Sequence, residues 1–162
     1  MEIGFRGTSL RRQGLAGIGF DFVHVAIDDH SRWAFVEIHP DERGTTAAGF
    51  VLHVAAHFAE HGISIERVMT DNAKCYTESK VFAAALSEIG ATHKRTRSYR
   101  PQTNGKAERV LQTLLREWAY DRAYRSNAER LRRLPRVVEA YNRTRPHTSL
   151  GGLPPISRVS TT

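Results

Sequence analysis

The chain has 162 residues, 40% of them hydrophobic and 25% charged, a size and balance that fit one globular domain and exclude wholesale disorder. No apolar run approaches the roughly 18 residues of a membrane-spanning helix, the N-terminus lacks the basic-then-apolar pattern of a secretory leader, and Cys75 is the single cysteine, which excludes an internal disulfide and a cysteine-based zinc finger. A cytoplasmic location is expected. The 24 Lys and Arg against 17 Asp and Glu are unevenly spread: residues 1–90 carry 8 basic and 12 acidic side chains, residues 91–136 carry 13 and 4. Such a basic block points to a polyanionic partner, nucleic acid first, ahead of the plainer reading of solvated arginines on amphipathic helices.

In chain order, residues 1–19 are rich in Gly and Arg with no steady period and read as a loop or a degenerate element. Phe20 to Ile27 and Arg32 to Ile38, both rich in β-branched and aromatic residues, flank the polar turn Asp28-Asp29-His30-Ser31 and predict a hairpin. Thr45 or Thr46 can cap a helix whose apolar residues Ala47, Phe50, Val51, Val54, Ala55 and Phe58 recur at helical spacing up to Gly62. Ile65 to Thr70 reads as a strand ending at Asp71-Asn72. Val81, Phe82, Ala85, Leu86 and Ile89 mark a helix stopped by Gly90, and Thr92 to Arg97 predicts another strand.

Strand, helix and strand in that order imply a parallel crossover. After a loop over 98–105, Ala107, Val110, Leu111, Leu114, Leu115 and Trp118 define a long amphipathic helix. Ser126 and Glu129 form a capping box for a last helix bearing Leu131, Leu134, Val137, Val138 and Tyr141, with a kink expected at Pro135. The segment 146–162 reads as an extended tail after a core spanning 20–145. The pattern is an α/β layer structure with a mixed sheet, without the glycine motifs of nucleotide-binding folds.

Two carboxylates stand where chemistry is feasible. Asp71 leaves the carboxyl end of a predicted strand, the place where open α/β sheets handle ligands. Glu108 falls at the edge of the apolar stripe of its helix, at about 100° per residue, from which it can turn toward the sheet. Two hard oxygen ligands beside a basic surface suit Mg²⁺ or Mn²⁺ acting on a phosphodiester. Spacing alone leaves open the plainer reading, with Asp71 capping a turn and Glu108 facing solvent.

The wording around these residues narrows the choice. Thr70-Asp71-Asn72, then Tyr99-Arg100-Pro101-Gln102-Thr103-Asn104-Gly105-Lys106-Ala107-Glu108-Arg109, then Tyr141-Asn142 and Arg145-Pro146-His147 resemble the integrase catalytic core of DDE transposases of bacterial insertion sequences, a core shared with retroviral integrases. The hairpin His24 to Arg32 resembles that family's second and third strands. The resemblance implies a ribonuclease H-like fold with a mixed five-stranded sheet flanked by helices. It also implies a polynucleotidyl transferase that nicks element ends and joins the 3′-hydroxyl to target DNA with two Mg²⁺ or Mn²⁺ ions.

On this resemblance Asp71 and Glu108 are the catalytic metal ligands, and Asn72, Gln102, Asn104, Lys106 and Arg109 lie where the family approaches DNA. On the long helix Lys106, Arg109, Thr113 and Arg116 are expected to face phosphates, opposite the apolar stripe. Joining two ends requires at least a homodimer, working at the bacterial nucleoid and not at a membrane.

The family's first Asp lies on the first, central strand, and no Asp precedes Asp21. Asp28 and Asp29 read as turn formers, and Glu2 has no matching surroundings. The expectation is therefore that the first strand is missing or degenerate. This keeps a second reading in play, a truncated, non-catalytic DNA-binding transposase fragment. Ala73, where the family has Gly, would be strained if the backbone needed a positive φ. His53 and His57 read as a polar helix rim, Cys75 as an inert packing residue, and Trp33 and Trp118 as core.

Overall fold

The computed structural model describes residues 1–12, 19–96 and 105–159. Its centre is a five-stranded mixed sheet of β1 (Glu2–Arg11), β2 (Phe20–Asp28), β3 (Ala34–His39), β4 (Arg67–Thr70) and β5 (Thr92–Arg95), in the order β3-β2-β1-β4-β5. β2 pairs antiparallel with both β1 and β3, whereas β4 runs parallel to β1 and β5 parallel to β4.

The expected hairpin and crossover strands are all present, but the expectation of a missing or degenerate first strand is overturned. Residues 2–11 form β1, paired with β2 from Ile3 opposite Asp28 to Arg11 opposite Phe20, and with β4 from Glu2 beside Arg67 to Gly4 beside Met69. Its periodicity was hidden by Gly4 and Gly7 and by the layers on both faces. Ile3 and Phe5 are buried on one side and Leu10 on the other, so no simple alternation between wet and dry faces was needed.

On the first face, Ile3, Phe5, Ala26 and Val68 pack against α1 (Gly44–Ala59) and α3 (Lys80–Glu88). The expected threonine cap of α1 is replaced by Arg43 at the N-cap, with no side-chain cap bond, while the Thr46 hydroxyl donates to Asp41 at 2.5 Å. α2 is the short helix Lys74–Thr77. In α3 the Ser79 hydroxyl accepts from the Phe82 amide at 3.1 Å, a helix cap, and Gly90 at φ 69° closes the exit. Val81, expected on the buried face, is half exposed.

On the second face, Val23, Val25 and Ile27 of β2 meet α4 (Gly105–Leu114), whose Ala107, Val110, Leu111 and Leu114 are buried. The helix continues as a π-helical turn, Leu115–Ala119, that carries Trp118 into the core. α5 (Asn127–Arg143) starts at the expected box, with Ser126 accepting from the Glu129 amide at 3.2 Å and the Glu129 carboxylate accepting from the Arg125 amide at 2.9 Å. It continues through Pro135, which is exposed. The expected extended tail instead holds two 3₁₀ turns, Thr148–Leu150 and Pro155–Arg158.

Two buried polar groups fasten these layers. The Arg130 guanidinium, fully buried beneath Trp118, donates to the Arg11 carbonyl at 3.0 Å, to Asp21 at 3.3 Å and to Asn127 at 2.6 Å. Asp21 also accepts from Arg12 at 2.9 Å and Asn127 at 2.7 Å. Asp21, read from sequence as the start of a hairpin strand, thus anchors α5 to β1 and β2. An Asp21→Asn protein strips the buried guanidinium of its counter-charge and is expected to lose about 3–5 kcal/mol, read by urea unfolding.

His24 is buried against the ring edges of His39 and Phe50. Burial first, and then the His39 ring, push its pKa from the ordinary 6.5 to about 4. The folded chain therefore refuses a proton that the unfolded chain accepts. From this group stability is constant above about pH 6.5 and falls by up to about 1.4 kcal/mol per pH unit on acidification toward pH 4. His24→Phe should flatten that slope relative to the wild type in denaturant midpoints measured across this window.

Candidate functional site

The parallel pairing of β1 and β4 brings residue 6 beside residue 71. Asp71 follows Thr70, the last residue of β4, and its Oδ1 accepts from the Ala73 amide at 3.0 Å. The Thr70 hydroxyl donates to the Asp71 carbonyl at 2.8 Å and meets His93 Nε2 at 2.8 Å, which fixes the strand end. Glu108 stands in the first turn of α4, beside the buried Ala107 that seats the helix on the sheet. The two carboxylates converge as the sequence reading expected.

What lies between them was not expected. Arg6, in the middle of β1, places its Nη1 3.1 Å from Asp71 Oδ2 and 3.3 Å from Glu108 Oε1. One guanidinium nitrogen thus bridges the pair. A fourth charged group stands close by: burial first, and then the Asp71 charge, raise the pKa of Glu42, with Arg6 opposing. Glu42 Oε1 lies 2.7 Å from where a Cβ on Gly7 would sit, so a larger residue at this strand position would displace the Glu42 carboxylate. Burial and the same carboxylates raise the phenol of Tyr76 and push the Cys75 thiol up to about 11. Cys75 is a protonated bystander, not a nucleophile.

Integrase cores are generally divalent-metal dependent, which makes the fit of such an ion here a test of the site. The donors are of the right chemical kind, hard oxygens on rigid elements. Mg²⁺, however, binds oxygens at about 2.0–2.1 Å, whereas these surround a guanidinium nitrogen at 3.1 and 3.3 Å. The position between them is filled by a positive charge, and the expected two-metal site does not match these residues as arranged.

The expected DNA-contacting residues divide. Asn72 is exposed and donates to the Thr96 carbonyl at 3.2 Å. Ala73 has φ −62°, so the anticipated strain is absent. Thr113 is buried in α4 and lines the same cleft as Lys106 and Arg109. Lys106, Arg109 and Arg116 are exposed, with Lys106 paired to Asp29 and Arg116 to Glu117 at 3.0 Å. Gln102 and Asn104 lie outside the described residues.

Lys106 and Arg109 line a cleft of about 560 Å³ with Arg32, Tyr141, Arg145 and His147. Arg32, in the left-handed region at φ 66°, is held by Asp29 and by Ser149 Oγ, each at 3.3 Å. Burial first, and then the Arg145 and Arg32 charges, lower the His147 pKa. Sequence reading missed Arg32 and Arg145 as neighbours because a turn and a C-terminal segment meet only in the fold.

Asp28 accepts from the Ser31 amide and hydroxyl at 2.8 and 2.7 Å, the turn role expected of it. Away from the carboxylates, His57, Glu60 and His61 bring ligand atoms within 4.8 Å of one another. His57 Nε2 accepts from the Trp33 indole at 3.1 Å, leaving its proton on Nδ1, which lies 3.9 Å from Glu60. His61 Nδ1 donates to the His57 carbonyl at 2.9 Å. These rings are structural, and His53 pairs with Glu37 at 3.0 Å.

Comparison with known proteins places this arrangement. Residues 14–101 match the integrase core domain family, and residues 89–155 match a second integrase core domain family. "Uncharacterized protein K02A2.6" of Caenorhabditis elegans is 28% identical over 134 residues, covering 83% of this chain and 10% of that protein, so the chain spans about a tenth of that relative's length. The catalytic core domain of BIV integrase superposes with a TM-score of 0.68 at 19% identity, over 97% of this chain and 91% of that one. A chain of the simian T-cell lymphotropic virus intasome in complex with PP2A regulatory subunit B56 gamma gives 0.71 at 21% identity, over 93% and 51%. These likenesses establish the ribonuclease H-like fold, and with the match across residues 14–101 the chain belongs to the integrase core domain family.

Proposed function

We propose that this chain is a DNA-binding integrase core of a DNA integration or transposition system, engaging the DNA backbone without itself cutting or joining strands. The observation that carries this reading is the basic cleft, where Arg32, Lys106, Arg109 and Arg145 converge from a turn, a helix and the C-terminal segment. Asp29 and Glu117 balance part of that charge, the latter holding Arg145 at 2.5 Å, and the surplus is positive. Clustered cations of this kind position phosphates without reading bases.

The chain would work at the nucleoid, and on the enzymatic alternative pairing with another copy follows from the need to bring two DNA ends together. The enzymatic alternative is metal-dependent nicking and 3′-hydroxyl strand transfer by Asp71 and Glu108 on element-end DNA. It is favoured by their convergence and opposed by the guanidinium between them.

Fluorescence anisotropy on duplex DNA across a salt series is the direct test. Affinity should fall steeply with salt, at about 0.9 log units per log unit of salt for each neutralised phosphate, and Arg109→Ala and Arg32→Ala should each lower the slope by about 1. Salt-independent binding, or slopes unchanged in both variants, would remove the reading. Strand transfer by the wild type with Mn²⁺ and labelled ends, lost in Glu108→Gln, would establish the enzymatic alternative instead.

A further inference from the structure

We infer that Arg6 is a built-in replacement for the divalent metal: its guanidinium supplies, from within the chain, the cation that would otherwise hold Asp71 and Glu108 together. The resemblance places an aspartate on the central strand ahead of the hairpin. In this chain the central strand is β1, and its residue facing the two carboxylates is an arginine. The exchange reverses the sign of one of three charges at the centre. An aspartate there would leave three mutually repelling carboxylates that need an external cation. An arginine leaves two carboxylates around one fixed cation.

Geometry supports the substitution. A single nitrogen, Nη1, donates to Asp71 at 3.1 Å and forms an ion pair with Glu108 at 3.3 Å. The space between the two carboxylates is therefore occupied by a guanidinium. A Mg²⁺ ion would need both oxygens drawn in by about 1 Å while sitting against a positive group that cannot deprotonate. The side chains of Arg6, Asp71 and Glu108 are 34%, 28% and 32% exposed, so a metal has access from solvent and is refused on charge and space. Glu42, on the other face of Gly7, adds negative field without touching Arg6, which strengthens the hold on the guanidinium.

The inference concerns the carboxylate centre alone and stands or falls without reference to the basic cleft. Its test uses the full chain, no DNA, and Mn²⁺ as the probe. In thermal unfolding with EDTA or with Mn²⁺, the wild-type midpoint should not move through Asp71 or Glu108, so that any shift is equal in Asp71→Asn. Arg6→Asp should unfold at lower temperature in EDTA and be raised by about 5 °C or more once Mn²⁺ reaches a hundred times its dissociation constant, the gain disappearing in Arg6→Asp/Asp71→Asn.

A folded Arg6→Asp with no response to Mn²⁺ would overturn the inference, as would a wild-type response abolished by Asp71→Asn. Should Arg6→Asp fail to fold, Arg6→Ser and the wild type decide by electron paramagnetic resonance titration of Mn²⁺. Binding gained in Arg6→Ser and lost with Asp71→Asn supports the inference. Equal binding in the wild type and Arg6→Ser refutes it.

Discussion

The structure depends on β1 being paired on both edges and covered on both faces. β2 takes one edge antiparallel along the length of the strand and β4 takes the other parallel over Glu2 to Gly4, so the strand joins the hairpin half of the sheet to the crossover half. Ile3 and Phe5 point toward α1 and α3, and Leu10 enters the layer beneath α4 and α5. A charged side chain in the middle of such a strand has no route to bulk solvent except past α4 and the end of β4. Arg6 takes that route, and Asp71 and Glu108 meet it there. Because the three side chains remain about a third exposed, each contact contributes only about 0–1 kcal/mol. They link β1, the end of β4 and the first turn of α4, while the buried Arg130 and Asp21 pair and the two apolar layers hold the fold together.

α4 separates two electrostatic environments. Its Glu108 faces the sheet end, where burial first, and the Asp71 charge after it, raise the pKa values of Glu42, Tyr76 and Cys75. Lys106, two residues before Glu108, and Arg109, the next residue, turn toward the cleft shared with Arg32 and Arg145. The helix carries opposite signs on adjacent flanks because an amphipathic helix seated by Ala107, Val110, Leu111 and Leu114 has two polar borders, one at each edge of its buried stripe. One border overlooks the strand ends and the other the C-terminal segment.

Much of this was legible in the sequence. Helical spacing located α1, α3, α4 and α5, because each presents one periodic face to the sheet, and β-branched and aromatic runs located β2 to β5. Asp71 was legible as a strand terminus and Glu108 as a stripe edge. β1 was not, since Gly4 and Gly7 interrupt its apolar residues and its two-sided burial removes alternation. The same blindness hid Arg6, an arginine in a segment that read as a loop, and Glu42, whose closeness to Gly7 is a long-range contact with no local signal. Thr113 lines the cleft with Lys106 and Arg109 as its helical angle suggests, but its burial was not legible, because helical angle alone does not tell how widely the neighbouring elements wrap the helix.

The ladders that join β1 to β2 and β4 are main-chain hydrogen bonds, which are the same whatever side chain residue 6 bears. The ladder thus acts as a socket, indifferent to the plug it presents. In this molecule the architecture and the sign of the charge at its centre are separable properties, so membership of the fold carries no information about which cation, internal or external, the two carboxylates are built around.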